Sequence, residues 1–188
     1  MARFSRLQVW NKIDELGLVP LFYHGDVEVS KKIVAALSAG GCKVIEFTNR
    51  GDRAFEVFRE LIVHFEKADP SVILGIGSVL DPMTAGLYIN LGANFVVGSV
   101  TNAEVARLCN RRKVPYFPGC ATASEVSEAE ELGAEVCKVF PGAELGGPAF
   151  VKAIKPPTPW TKIMVTGGVD ATWESIKGWF DAGVTAVG

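Results

Sequence analysis

Four side chains in this 188-residue chain have types and positions suited to chemistry: Lys138, Glu46, Arg50 and Ser78. Lys138 interrupts an apolar run, Val136-Cys137-Lys138-Val139-Phe140, that reads as a strand. Strand alternation puts Val136, Lys138 and Phe140 on one face and Cys137 and Val139 on the other. A buried lysine is costly unless it is paired, neutralised or used. Desolvation weakens its hold on the proton and makes it an amine nucleophile, the route to a Schiff base. The plain alternative is a strand-end lysine whose head snorkels to water. On a second run, Val44-Ile45-Glu46-Phe47-Thr48, alternation groups Val44, Glu46, Thr48 and Arg50 and turns Ile45 and Phe47 the other way. Glu46 and Arg50 alone read as a structural ion pair at a rim. Joined by an inward lysine from another strand, they supply an amine, a base and a carboxylate clamp, which is what bond cleavage next to a ketone needs.

Three glycine-containing stretches lie near the ends of expected strands. Gly75-Ile76-Gly77-Ser78-Val79 reads as a flexible turn ending in a hydroxyl, and Pro118-Gly119-Cys120-Ala121-Thr122 as a loop with a helix cap. Thr166-Gly167-Gly168-Val169 offers consecutive backbone N–H groups near a helix start, where anions bind. Gly40-Gly41 and Gly146-Gly147 show that paired glycines are also ordinary turns here. His24 follows the first strand and could reach a site, whereas His64 sits among Glu60, Glu66 and Lys67; solvated histidines are the simplest reading of both.

The elements that must hold these residues alternate. After an amphipathic opening helix with Leu7, Trp10, Ile13 and Leu16, strands are expected at 18–23, 43–48, 72–76, 94–97, 115–117, 136–140, 162–165 and 184–187. Helices are expected between them: from Ser30 to Ala39, after an Asp52 cap with Phe55, Phe58, Ile62 and Phe65 on one stripe, Pro82 to Leu91, Asn102 to Arg111, from Thr122 or Ser124 to Leu132, Pro148 to Ile154, and after Asp170 with Trp173, Ile176 and Phe180 on one face. Short, regular β/α alternation implies right-handed crossovers and a parallel sheet buried on both sides. Eight strands make the inventory of a (β/α)8 TIM barrel, with chemistry at the C-terminal strand ends, and a doubly wound open sheet is the alternative. Residues 1–188 are read as one such domain, lacking a final helix after the last strand.

Composition narrows the partners. With 48% hydrophobic residues the chain can build a sizeable core, and a net charge of −2 with pI near 5.8 gives no footprint for nucleic acid. Cys42, Cys109, Cys120 and Cys137 have neither zinc spacing nor a disulfide framework and read as small buried hydrophobes of a reducing compartment. The N-terminus lacks a signal-peptide core and no apolar run reaches spanning length, so neither a membrane nor export is expected, and cytoplasm is the default.

Five blocks in order, Val44 to Arg50, Gly75 to Val79, Pro118 to Thr122, Lys138 to Pro141 and Thr166 to Val169, make the sequence resemble the class I aldolases acting on 2-keto-3-deoxy-6-phosphogluconate and 4-hydroxy-2-oxoglutarate. The resemblance spans nearly the whole chain and favours the barrel. It implies Lys138 as the Schiff-base lysine and Glu46 as the general acid/base. It also implies Arg50 and Ser78 as the clamp for the pyruvyl carboxylate, Phe140 as a wall beside the imine, and Thr166, Gly167 and Gly168 as part of a phosphate cradle. It further implies a small 2-keto acid as substrate, no metal or organic cofactor, and a homotrimer. The chain departs from the family's usual pattern in Ser78 for threonine, in Gly98-Ser99 for Ser-Pro, in Phe22-Tyr23-His24 where an arginine is common, and in stopping at Gly188 before a Gly-Ser turn. A non-catalytic barrel, serving as an assembly scaffold or a small-acid binder, is the rival reading.

Overall fold

The computed structural model describes residues 2–188. Its first helix, α1 (Arg6–Leu16), starts at Ser5, whose hydroxyl accepts from the Gln8 N–H while the Gln8 side chain accepts from the Ser5 N–H. It stops at Gly17, which takes the left-handed conformation (φ 64°) that terminates helices. From there the chain alternates: β1 (Leu21–Phe22), α2 (Val27–Ala39), β2 (Val44–Thr48), α3 (Ala54–Ala68), β3 (Ile73–Gly77), α4 (Pro82–Leu91), β4 (Val96–Val97), α5 (Ala103–Arg112) and β5 (Tyr116–Phe117). It continues with β6 (Gly119–Cys120), α6 (Ala123–Glu131), β7 (Cys137–Val139), α7 (Pro148–Ile154), β8 (Ile163–Val165), α8 (Trp173–Asp181) and β9 (Ala186–Val187).

All strand pairs are parallel, in the orders β1-β2-β3-β4-β5 and β6-β7-β8-β9. The seam between the two sets is Pro118, which has no N–H to give a ladder but whose carbonyl accepts from the Lys138 N–H at 2.9 Å. β5 and β6 are therefore two halves of one barrel stave. The opposite seam closes where Val19 donates to the Val187 carbonyl (2.9 Å) and Val187 to that of Gly17 (3.0 Å). The result is the expected (β/α)8 barrel.

Two cores follow from the alternation. Ile45, Phe47, Leu74 and Ile76 point outwards and pack with Phe58, Leu61, Tyr88 and Ile89 of the surrounding helices. Val44, Ile73, Phe95, Val97, Phe117, Val136, Met164 and Ala186 point inwards, and Val9 and Ile13 of α1 seal this inner core from one end. Each fully buried large apolar side chain contributes roughly 1.5–3 kcal/mol by leaving water. The inner core fills one end of the barrel, so polar inward positions further along the strands face the other end.

Several local expectations are corrected. Helix α2 begins before Ser30, because Asp26 caps it by accepting from the Val29 N–H. Arg53 in a left-handed conformation, not Asp52, immediately precedes α3, whereas α8 follows Asp170 as expected and is capped by Thr172, whose hydroxyl accepts from the Ser175 N–H. On α3 Phe55 is exposed while Phe58 and Phe65 are buried, and on α8 the buried aromatic is Trp179, with Trp173 and Phe180 outside. Strand β3 runs one residue past its expected end to take in Gly77, and Gly119-Cys120 form strand β6; only Thr122 of the third block is a helix cap, in a capping box with Glu125. Cys42 is half-buried, and the other three cysteines are buried as expected.

Candidate active site

Glu46 and Lys138 stand on β2 and β7 with side chains inside the barrel, 1% and 5% exposed. Their parity is fixed by their neighbours: Val44 and Val136 lie in the inner core, whereas Phe47 and Cys137 pack against helices. Gly77 makes the room for Glu46, since a β-carbon there would stand 1.7 Å from Oε1. Gly75, one inward step earlier on the same strand, makes room for the Phe95 ring, which a β-carbon would meet at 2.4 Å. Both glycines are thus inner-face positions where neighbouring side chains approach the backbone closely.

Burial disfavours charge on both groups. It lowers the pKa of Lys138 below the ordinary lysine value; Arg50 acts in the same direction and the Glu46 carboxylate opposes them. It raises the pKa of Glu46, against the attraction of Lys138 and Arg50. The pair therefore has access to a neutral amine and a neutral carboxylic acid, the states wanted for nucleophilic attack and for proton delivery. The Lys138 Nζ also lies 4.9 Å from the centre of the Phe140 ring. Glu46 Oε2, Thr48 Oγ1 and Thr166 Oγ1 are buried without a hydrogen-bond partner among the described residues, which leaves polar valences pointing into the interior.

A cleft of about 780 Å³ opens above the lysine. Arg50, Lys138, Phe140, Thr166, Gly167 and Gly168, all singled out in the sequence, line it. Ser78 is not among its lining residues but is tied to it, accepting from Arg50 Nε at 3.3 Å. Ser78 holds a left-handed conformation (φ 60°), uncommon outside glycine and asparagine, which aims its hydroxyl at the guanidinium. His24 is elsewhere, accepting the Asp26 N–H on its Nδ1. Sequence reasoning missed the apolar rim at the start of β1 and just before it (Leu18, Pro20, Leu21) and the outer wall Val169, Asp170, Ala171 and Ile176. The rim carries no chemical signal in its residue types, whereas Asp170 was read only as the approach to α8. Among the described residues no group of three or more His, Cys, Asp or Glu side chains is arranged to hold a metal ion, and no helix is long and apolar enough to cross a membrane.

The barrel, its interior amine and acid, and the cleft at one end define a class: the (β/α)8 aldolases, carbon–carbon lyases. Within that class the chain belongs to the KDPG and KHG aldolase family, whose model matches residues 9–188. It is 37% identical over 134 residues to a 2-dehydro-3-deoxy-phosphogluconate aldolase of Pseudomonas aeruginosa, a match covering 71% of this chain and 59% of that protein. The fold superposes with a TM-score of 0.87 on a KDPG aldolase from Legionella pneumophila with pyruvate captured as a covalent carbinolamine (27% identity, 96% of this chain and 85% of that one). It superposes with 0.86 on the 2-keto-3-deoxy-6-phosphogluconate aldolase of Zymomonas mobilis with 3-phosphoglycerate (25% identity, 98% and 85%).

Proposed function

We propose that the protein is a class I aldolase that cleaves 2-keto-3-deoxy-6-phosphogluconate to pyruvate and glyceraldehyde 3-phosphate, with 4-hydroxy-2-oxoglutarate, cleaved to pyruvate and glyoxylate, as a further substrate. The observation that carries this reading is the buried Lys138–Glu46 pair beneath a cleft that Arg50 lines together with Lys138. In the proposed sequence the neutral Lys138 amine adds to the C2 ketone, and loss of water gives the protonated imine. Glu46 takes the proton of the C4 hydroxyl as the C3–C4 bond breaks, and the bonding electrons pass into the imine to leave an enamine. Protonation of that enamine at C3 and hydrolysis release pyruvate and restore the amine. The imine itself is the electron sink, so the sequence calls on no metal or organic cofactor.

Arg50, steadied by Ser78, holds the substrate carboxylate through a charge-assisted contact. Phe140 bounds the imine on one side, and Thr166, Gly167 and Gly168 receive the distal group. We read the chain as one barrel domain working as a cytoplasmic homotrimer, which a single thermal unfolding transition and light scattering would check. Pyruvate release from each substrate, followed through reduction of the product, tests the activity. Turnover of the phosphorylated compound is expected, and no pyruvate from either compound with folded protein would overturn the reading.

A further inference from the structure

The outer end of the cleft is formed by the turn between β8 and α8, and its charges do not match a doubly charged tail. The Thr166 carbonyl accepts from the Gly142 N–H (2.9 Å), that of Gly167 from the Ala143 N–H (3.1 Å), and that of Gly168 from Trp179 Nε1 (3.4 Å). In a trans peptide the N–H points opposite to the carbonyl it is bonded to. The N–H groups of Gly167, Gly168 and Val169 therefore point away from these anchors, and all three residues line the cleft. Such a row attracts an anion. Yet the next residue, Asp170, lines the same cleft, is exposed, and gives its own N–H to Ser175 Oγ (3.1 Å), while its carboxylate has neither an ion pair nor a hydrogen bond among the described residues. Glu174 adds a second carboxylate in the first turn of α8. The cations that line the cleft, Lys138 and Arg50, belong to its reacting end, and Lys177 of α8 is paired with Asp181.

We infer that Asp170 is a specificity-determining residue, whose carboxylate sets a charge penalty at the distal turn and so moderates the preference for a dianionic phosphoryl tail over a singly charged or hydroxylated one. This rests on the aldolase reading above and deepens it, because it names the residue that weighs one tail against another. A unit charge a few ångströms from a dianion at a wetted rim corresponds to about tenfold in kcat/KM, and to less as salt screens it.

Asp170→Asn removes the charge and keeps the size at an exposed position. The variant is expected to raise kcat/KM for 2-keto-3-deoxy-6-phosphogluconate about tenfold at low ionic strength, and the gain should shrink as salt is added. The value for 4-hydroxy-2-oxoglutarate should rise by less. Borohydride capture of pyruvate on Lys138 should be unchanged, since pyruvate has no distal tail, and this also reports a folded site. Asp170→Lys should widen the gain. Unchanged selectivity in both variants with normal pyruvate capture would overturn the role of Asp170 alone. Failure of the unsubstituted protein to capture pyruvate would overturn the aldolase reading and this inference with it.

Discussion

Replacing Gly77 with alanine tests how the barrel positions its acid. The new β-carbon would stand 1.7 Å from Glu46 Oε1 and 2.4 Å from its carboxyl carbon. Non-bonded carbon contacts begin near 3.5 Å, so the carboxyl group must retreat by roughly 1.5 Å or more. Glu46 ends in a flexible side chain, and its headgroup, not the backbone, yields. A displacement of about 1 Å at a reacting group already costs about 100-fold in rate. We therefore expect kcat for pyruvate release to fall at least about 100-fold. Stability should fall by less than for a clash with a rigid ring, because the carboxyl headgroup gives way and stiffening the unfolded chain returns about 0.4–1 kcal/mol. The assay is steady-state turnover beside thermal melting and borohydride capture of pyruvate, which should still label Lys138. A folded Gly77→Ala protein with unimpaired kcat would refute the reasoning, as would loss of activity that simply follows loss of fold.

Further expectations follow from the same geometry. Gly75→Ala brings a β-carbon 2.4 Å from the fully buried Phe95 ring, which cannot yield, so the damage should be to stability, about 1–3 kcal/mol by denaturant titration. Lys138→Met should abolish turnover yet melt no lower than the parent, because it replaces a desolvated amine with an apolar chain of similar length. The pH dependence has a definite sign. Lys138 has a lowered pKa when folded, so between that value and the ordinary 10.5 the unfolded chain binds more protons and stability rises with pH. The melting advantage of Lys138→Met should accordingly shrink as pH rises from below the lowered pKa towards the ordinary 10.5; an advantage that stays flat would contradict the burial argument. Thr122→Ala, which removes the capping box of α6, should cost about 1 kcal/mol without altering kcat.

Strand parity made the centre of the site legible: two inward residues on two apolar runs, Glu46 and Lys138, are recoverable from alternation because one wrong step would bury Phe47 and Cys137 in the wrong core. Helices α4 and α7 could be bounded from sequence because Pro82 and Pro148 sit in their first turns, where proline is well tolerated. What stayed hidden depends on contacts between distant segments. Gly77 looked like a turn residue and Gly75 carried no signal of its role, because their reasons lie across the barrel, in Glu46 and Phe95. Gly119 is similar: a β-carbon there would meet the Ser99 carbonyl at 2.3 Å, a close approach that no local pattern announces. Ser78 was found as a hydroxyl, but its left-handed backbone was not foreseeable from a residue type that usually avoids it. The role of Asp170 as a cleft wall required the turn to be folded first.

The most direct test of the account is to incubate the protein with pyruvate and borohydride and map the reduced adduct by mass spectrometry. A single pyruvyl adduct on Lys138, absent from Lys138→Met, is the predicted result. A folded protein that takes up no adduct, or carries it on another lysine, would contradict the claim that Lys138 is the nucleophile of the barrel.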